Sequence, residues 1–186
     1  MDMRRPFRVS APFEPLGLCG SGVVSAVAEM LRAGVLRADG RMADPSGHGF
    51  TLVEAERSGT GRPIVFTQAD VRAVQLAKGA VAAGVALLCE TTGIDPSALS
   101  EILLSGAFGN YLDIADARRI GLLPNLPGVP VRPVGNAAGA GAQMCLLSRE
   151  KRSGAWLLAS EIEPVDLARH PDFQKVFTRN LAFPPG

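Results

Sequence analysis

An α/β layer with parallel strands is the fold class this sequence predicts, and two observations predict it. The first is the run Ile102-Leu103-Leu104, which halts before Gly106 as a buried strand does when it delivers the backbone to a tight turn. The second is the pattern of the next forty residues. Helical spacing runs from Asp113 to Ile120, Gly121 and Pro124 punctuate it, a further extended run covers Val129 to Val134, and Gly135-Asn136 leads into Ala137-Ala138-Gly139-Ala140-Gly141-Ala142. The order strand, glycine turn, helix, strand, glycine turn, helix places the two runs side by side and parallel, joined by a right-handed crossover. Ligands of such layers bind beyond the carboxyl ends of the strands.

The remaining elements fall in order around this unit. Residues 1–15 carry prolines and arginines without periodicity and read as an irregular segment. From Gly17 to Gly22 a glycine-rich turn opens a helix whose apolar residues Val23, Val24, Val27, Met30 and Leu31 share a face, with Gly34 as its stop. Gly20, Ser21 and Gly22 admit two readings. Free N–H groups at a helix start suit a phosphate or ribose, and small residues also permit close packing. Residues 37–49, with His48 among them, read as a surface loop, and Phe50–Glu56 with Ile64–Phe66 as a hairpin.

Thr67 is placed to cap a helix carrying Val71, Val74, Lys78, Val81, Val85 and Leu88 on one face, ended by Gly93. Lys78 is then either a rim residue whose ammonium reaches water or, with Gln75, part of a ligand cleft. Gly139 and Gly141 are expected to serve helix packing, and Arg149–Arg152 to close a solvated helix end. Trp156, Leu157 and Leu158 read as part of an amphipathic segment. Phe173, Val176, Phe177, Leu181 and Phe183 read as a last helix and tail packed onto the body. The organisation expected is an α/β body over 16–149 and a helical appendage over 150–186.

Composition excludes several classes. Hydrophobic residues are 47% and charged residues 20% of 186, an ordinary globular balance. A net charge of +1 argues against a nucleic-acid binder. No apolar run reads as a membrane helix and no signal peptide is legible, so a cytoplasmic protein is expected. Cys19, Cys89 and Cys145 are far apart with no Cys-x-x-Cys pair, and read as reduced thiols holding neither metal nor iron–sulfur cluster.

Five segments taken together carry a resemblance: Gly-Leu-Cys-Gly-Ser-Gly at 17–22, Gln-Leu-Ala-Lys-Gly-Ala at 75–80, Leu-Leu-Ser-Gly-Ala-Phe-Gly-Asn-Tyr-Leu-Asp at 103–113, Ile-Gly-Leu-Leu-Pro at 120–124 and Val-Gly-Asn-Ala-Ala-Gly-Ala-Gly-Ala at 134–142. In that order they resemble the C-terminal part of the reductive activators of corrinoid proteins. These are iron–sulfur ATPases whose large domain belongs to the acetate kinase, sugar kinase, Hsp70 and actin (ASKHA) superfamily. The resemblance implies a partial ribonuclease-H-like half-domain with a C-terminal helical appendage.

It also implies a site. Gly106, Ala107, Phe108 and Gly109 would form the adenosine-binding turn, with Gln75 and Lys78 presenting polar groups from the preceding helix. Gly135 and Asn136 would face the same crevice, and Gly20, Ser21 and Gly22 would lie near the base or the domain hinge. The cofactors implied are ATP and Mg2+, and the partner is a corrinoid protein or corrinoid methyltransferase. The family's N-terminal cysteine cluster and its two phosphate-binding motifs have no match here. The expectation is therefore a chain that does not turn over ATP alone, that takes an upstream part carrying those motifs, and that self-associates through an unpaired sheet edge. Two other readings stay open: a non-catalytic interaction module that keeps the fold, and a small-molecule kinase of the same superfamily.

Overall fold

The computed structural model describes residues 14–43 and 49–185. His48, residues 1–13 and part of the expected 37–49 loop lie outside the described residues. The elements run α1 (Gly20–Arg32), β1 (Phe50–Val53), β2 (Ile64–Phe66), α2 (Gln68–Thr92), β3 (Ile102–Leu104), α3 (Ala107–Tyr111), α4 (Ile114–Arg119), β4 (Val131–Pro133), α5 (Ala137–Leu147), α6 (Arg149–Glu161) and α7 (Phe173–Arg179).

The β3 and β4 strands pair in parallel, Ile102 opposite Val131 and Leu104 opposite Pro133, so the central expectation holds. The intervening chain supplies α4, capped by the Asp113 side chain, which accepts from Asp116 N at 2.9 Å. β1 and β2 form the antiparallel hairpin, with a bulge between Thr51 and Val53. The first strand is shorter than the sequence predicts, because residues 55–57 coil into a 3-10 turn. The loop after α1 holds a tight reversal in which Leu36 bridges Met42.

Helix α2 begins on a capping box: the Thr67 hydroxyl takes the Asp70 N–H while the Asp70 carboxylate takes the Thr67 N–H, and Gly93 ends the helix in the left-handed conformation. Its buried face differs from the expected stripe. Val71, Gln75, Lys78, Gly79, Ala83, Gly84 and Leu87 are buried, whereas Val81 and Leu88 are exposed. The reason is α7, which packs along α2 on the side of the small residues. A methyl at Gly79 would lie 3.2 Å from Leu181, and one at Gly84 3.2 Å from Leu167. Small side chains let the C-terminal segment seat against the helix, and the large apolar ones turn outward. The 25 residues of α2 are long and apolar enough to cross a bilayer by length and composition, contrary to the sequence reading, and the helix packs against α7 on one side.

One core forms from α1 (Val24, Val27, Met30), the hairpin (Leu52, Phe66), Val71 of α2, Ala117 and Ile120 at α4, and Phe183 near the C-terminus. The tail therefore packs back as expected. Helices α5 and α6 do not join this core. They meet at Ser148, which caps α6 by accepting from Lys151 N at 3.2 Å, so Arg149–Arg152 opens a helix and does not close one. Neither helix has a buried residue, and Trp156, Leu157 and Leu158 are exposed, which corrects the expected amphipathic packing.

Candidate functional site

Two glycine turns meet where β3 and β4 end. Gly106 has φ +92° and ψ 169°, a conformation that L side chains avoid, and its N–H donates to Gly135 O at 2.8 Å. Val134 N donates to Leu104 O at 2.8 Å, and the Ser105 hydroxyl adds a 3.3 Å bond to Gly135 O. The two glycine turns are thus stitched together beyond the strand ends. No atom lies within 4 Å of where a Cβ of Gly106 or Gly135 would sit. The positive φ favours glycine at 106, and the space in front of both turns is open.

Ala107 and Phe108 open α3, and Gly109 lies in the same short helix. Gly109 is buried against Leu104, so its role is to let α3 turn back on its own strand. Asn136 caps α5, its side chain accepting from Gly139 N at 3.0 Å. This fixes the role of Gly139: a methyl there would overlap the Asn136 side chain, so the glycine serves the cap and not interhelical packing. Gly141 has open space beside it and packs on nothing among the described residues.

Gly20, Ser21 and Gly22 form the first turn of α1. Ser21 Oγ lies 3.3 Å from Cys19 Sγ, and this hydroxyl, with the Gly22 N–H, draws the exposed Cys19 thiol below its ordinary pKa. Cys19, Cys89 and Cys145 are free thiols on separate elements.

Gln75 and Lys78 sit in a different environment from the glycine crevice. Both are buried, 4% and 2% exposed, which corrects the rim reading of Lys78. Gln75 Nε2 donates to Asp39 O at 3.2 Å and Leu181 O at 3.0 Å, while its Oε1 accepts from Arg72 Nη1 at 2.7 Å. Lys78 Nζ donates to Ala182 O and lies 5.2 Å from the Phe183 ring centroid. Burial lowers its pKa to about 8. The 180–184 segment thus lies over both side chains, and Phe183 N ties it to Ala38 O at 2.8 Å. No hydrogen bond among the described residues joins this cluster to the Gly106 crevice.

Asp113 and Asp116, which follow the glycine turn in sequence, are engaged structurally. Asp113 caps α4, and Asp116 is buried with Arg32 Nη2 at 3.7 Å. Sequence reasoning does not single out Arg118 and Arg119. They line a cleft of about 680 Å³ between the ends of α1 and α4 and the tail, together with Leu36, Asn125, Pro184 and Pro185. Arg118 Nη2 donates to Val129 O at 2.9 Å, while its Nε is buried without a partner. No signal local to the sequence marks this cleft, because its walls come from segments far apart in the chain.

The parallel strands end in paired glycine turns, and comparison with known proteins identifies the domain as ASKHA-type. The family model described as the C-terminal domain of RACo, the ASKHA domain, matches residues 3–186, and the chain belongs to that family. Among curated proteins it is 41% identical to the corrinoid activation enzyme RamQ of Eubacterium limosum over 91% of this chain and 31% of the relative. It is 31% identical to the [Co(II) methylated amine-specific corrinoid protein] reductase of Methanosarcina barkeri over 81% of this chain and 26% of the relative. A solved reductive activator for corrinoid, iron-sulfur protein superposes with a TM-score of 0.82 at 31% identity, covering 90% of this chain and 28% of that one. The chain thus spans less than a third of the length of each.

Proposed function

We propose that this chain is the nucleotide-binding C-terminal part of an ATP-dependent reductive activator of corrinoid proteins. One observation carries the reading: the stitched, open glycine turns at Gly106 and Gly135, at the carboxyl ends of parallel strands, in a chain of the ASKHA family. The space before Gly106 suits an adenosine, with Gly106, Ala107, Phe108 and Gly109 as its backbone wall and Gly135 and Asn136 opposite. Gln75 and Lys78 would present donors to the nucleoside, and Gly20, Ser21 and Gly22 would border it.

Bound ATP with Mg2+ would supply the phosphoryl chemistry that powers reduction of the corrinoid cobalt. The residues of this chain bind and orient the nucleoside. Asp113 and Asp116 are held by a cap and an ion pair, so the acidic group for the metal, the phosphate loops and the iron–sulfur centre are assigned to polypeptide beyond these residues. A non-catalytic docking module is the alternative, and the unpacked faces of α5 and α6 are the observation that favours it.

Calorimetric titration with Mg-ATP separates the two, performed on the chain alone and with a polypeptide carrying the cysteine cluster and phosphate motifs. Binding that Gly106→Val abolishes, and ATP turnover that appears with the second polypeptide, support the activator reading. Absence of binding in both mixtures refutes it.

A further inference from the structure

We propose that the cleft between the ends of α1 and α4 and the C-terminal tail binds a small organic anion, with Arg118 and Arg119 taking its carboxylate or phosphate group and the apolar walls taking its body. None of the lining residues belongs to the glycine turns, so the inference stands apart from the nucleotide reading.

The lining carries it. The cleft measures about 680 Å³, within the roughly 300–1,000 Å³ of small-molecule sites, and Leu31, Leu36, Ile114 and Pro184 make its walls apolar. Its polar side chains are two guanidinium groups and the Asn125 amide, and among the described residues no carboxylate lines it. Most of the guanidinium donors are unused. Arg118 donates one N–H to Val129 O at 2.9 Å, and its Nε is buried without a partner. Among the described residues no ion pair includes Arg118 or Arg119. Asp116, two residues before Arg118, is turned to Arg32 Nη2 at 3.7 Å and does not line the cleft. Two cations therefore face an apolar hollow that supplies them no counter-charge. The planar fork of arginine matches the paired oxygens of a carboxylate or phosphate, and an acceptor brought by a ligand completes it.

The walls are also preformed. Val35 N and Leu36 N both donate to Met30 O, at 2.9 and 3.0 Å, which folds the loop after α1 back onto the helix end. Phe183 N donates to Ala38 O at 2.8 Å and the Phe183 ring lies in the core, so Pro184 reaches its wall from an anchored neighbour. The Arg32–Asp116 pair joins α1 to α4. Binding then orders little new chain, and the head-group contacts are not offset by closing the site.

The test follows backbone amide shifts of the isotopically labelled full chain during titration with naphthyl phosphate and with naphthoate, beside inorganic phosphate as the head group alone. The expected result is saturable shifts at Ala115, Arg119 and Asn125 with a naphthyl probe, which binds at least about tenfold more tightly than inorganic phosphate; the tighter probe names the head group. Arg119→Gln, at an exposed position, should weaken binding about tenfold at unchanged Tm, whereas Arg149→Gln on exposed α6 should not. Arg118→Lys keeps the charge, removes the fork and should weaken binding as well. Equal affinity for inorganic phosphate would mean unselective attraction of anions and overturn the site. Shifts confined to Gly106 and Gly135, or no saturable shift with either naphthyl probe, would overturn it too.

Discussion

Replacing Lys78 with methionine tests whether the buried ammonium opposes the fold. The side chain is 2% exposed, and burial lowers its pKa from 10.5 to about 8. The sign comes from linkage. Below about pH 8 both folded and unfolded chains carry the proton, so the cost of burying the charge is constant. Between about 8 and 10.5 the unfolded chain binds more protons than the folded one, and stability rises with pH. At ~1.4 kcal/mol per unit the full shift corresponds to an upper bound of ~3 kcal/mol. The Ala182 carbonyl and the Phe183 ring return part of this, and water relaxing around the 180–184 segment screens more, leaving ~1–2 kcal/mol. Methionine keeps the stem and removes the charge. Lys78→Met should therefore be more stable than wild type by ~1–2 kcal/mol at pH 7, with the gap closing towards pH 10.5. Urea unfolding of both proteins across this range, monitored by circular dichroism, reads the difference. Parallel pH curves, or a variant less stable than wild type at pH 7, would show that the ammonium is well compensated and refute the reasoning.

Other expectations rest on single contacts. Gly106→Val should lose nucleotide binding because φ +92° strains a β-branched residue and its side chain fills the open space, and Gly139→Ala should disturb the Asn136 cap and lower stability by about 1 kcal/mol, the two read by calorimetry and thermal unfolding. Thr67→Ala removes half of the α2 capping box and should cost about 1 kcal/mol in chemical denaturation. Phe183→Ala should cost about 3–5 kcal/mol, since the ring is 2% exposed within the core, and loss of the cooperative thermal transition would report it. Sedimentation of the chain should show concentration-dependent self-association that Trp156→Glu reduces without shifting the unfolding temperature, because that side chain packs on nothing buried in its own helix.

The features legible in the sequence are local ones. The β3 run, its glycine stop, the Asp113 cap and the β4 run are adjacent in the chain, and each carries its own signal, so the parallel pair and the helix joining them can be read directly. Thr67 and Gly93 bracket α2 for the same reason. The face of α2 cannot be read this way. Its partner is a segment about a hundred residues later, and the contact is made through Gly79, Ala83 and Gly84, whose small size gives no hydrophobic signal. Lys78 reads as a rim residue in sequence because nothing near it announces Ala182 and Phe183. The α5–α6 junction is hidden differently: Arg149–Arg152 resembles a helix end, and only the Ser148 cap shows that it is a beginning.

The two halves of the candidate site differ in what holds them, and this bears on mechanism. The Gly106–Gly135 turns are fixed by backbone hydrogen bonds between parallel strands, which no ligand needs to rearrange. Gln75 and Lys78 are held by the 180–184 segment, which is itself anchored in the core by Phe183. The glycine turns therefore keep their geometry independently of the tail, whereas Gln75 and Lys78 keep theirs only with the tail docked.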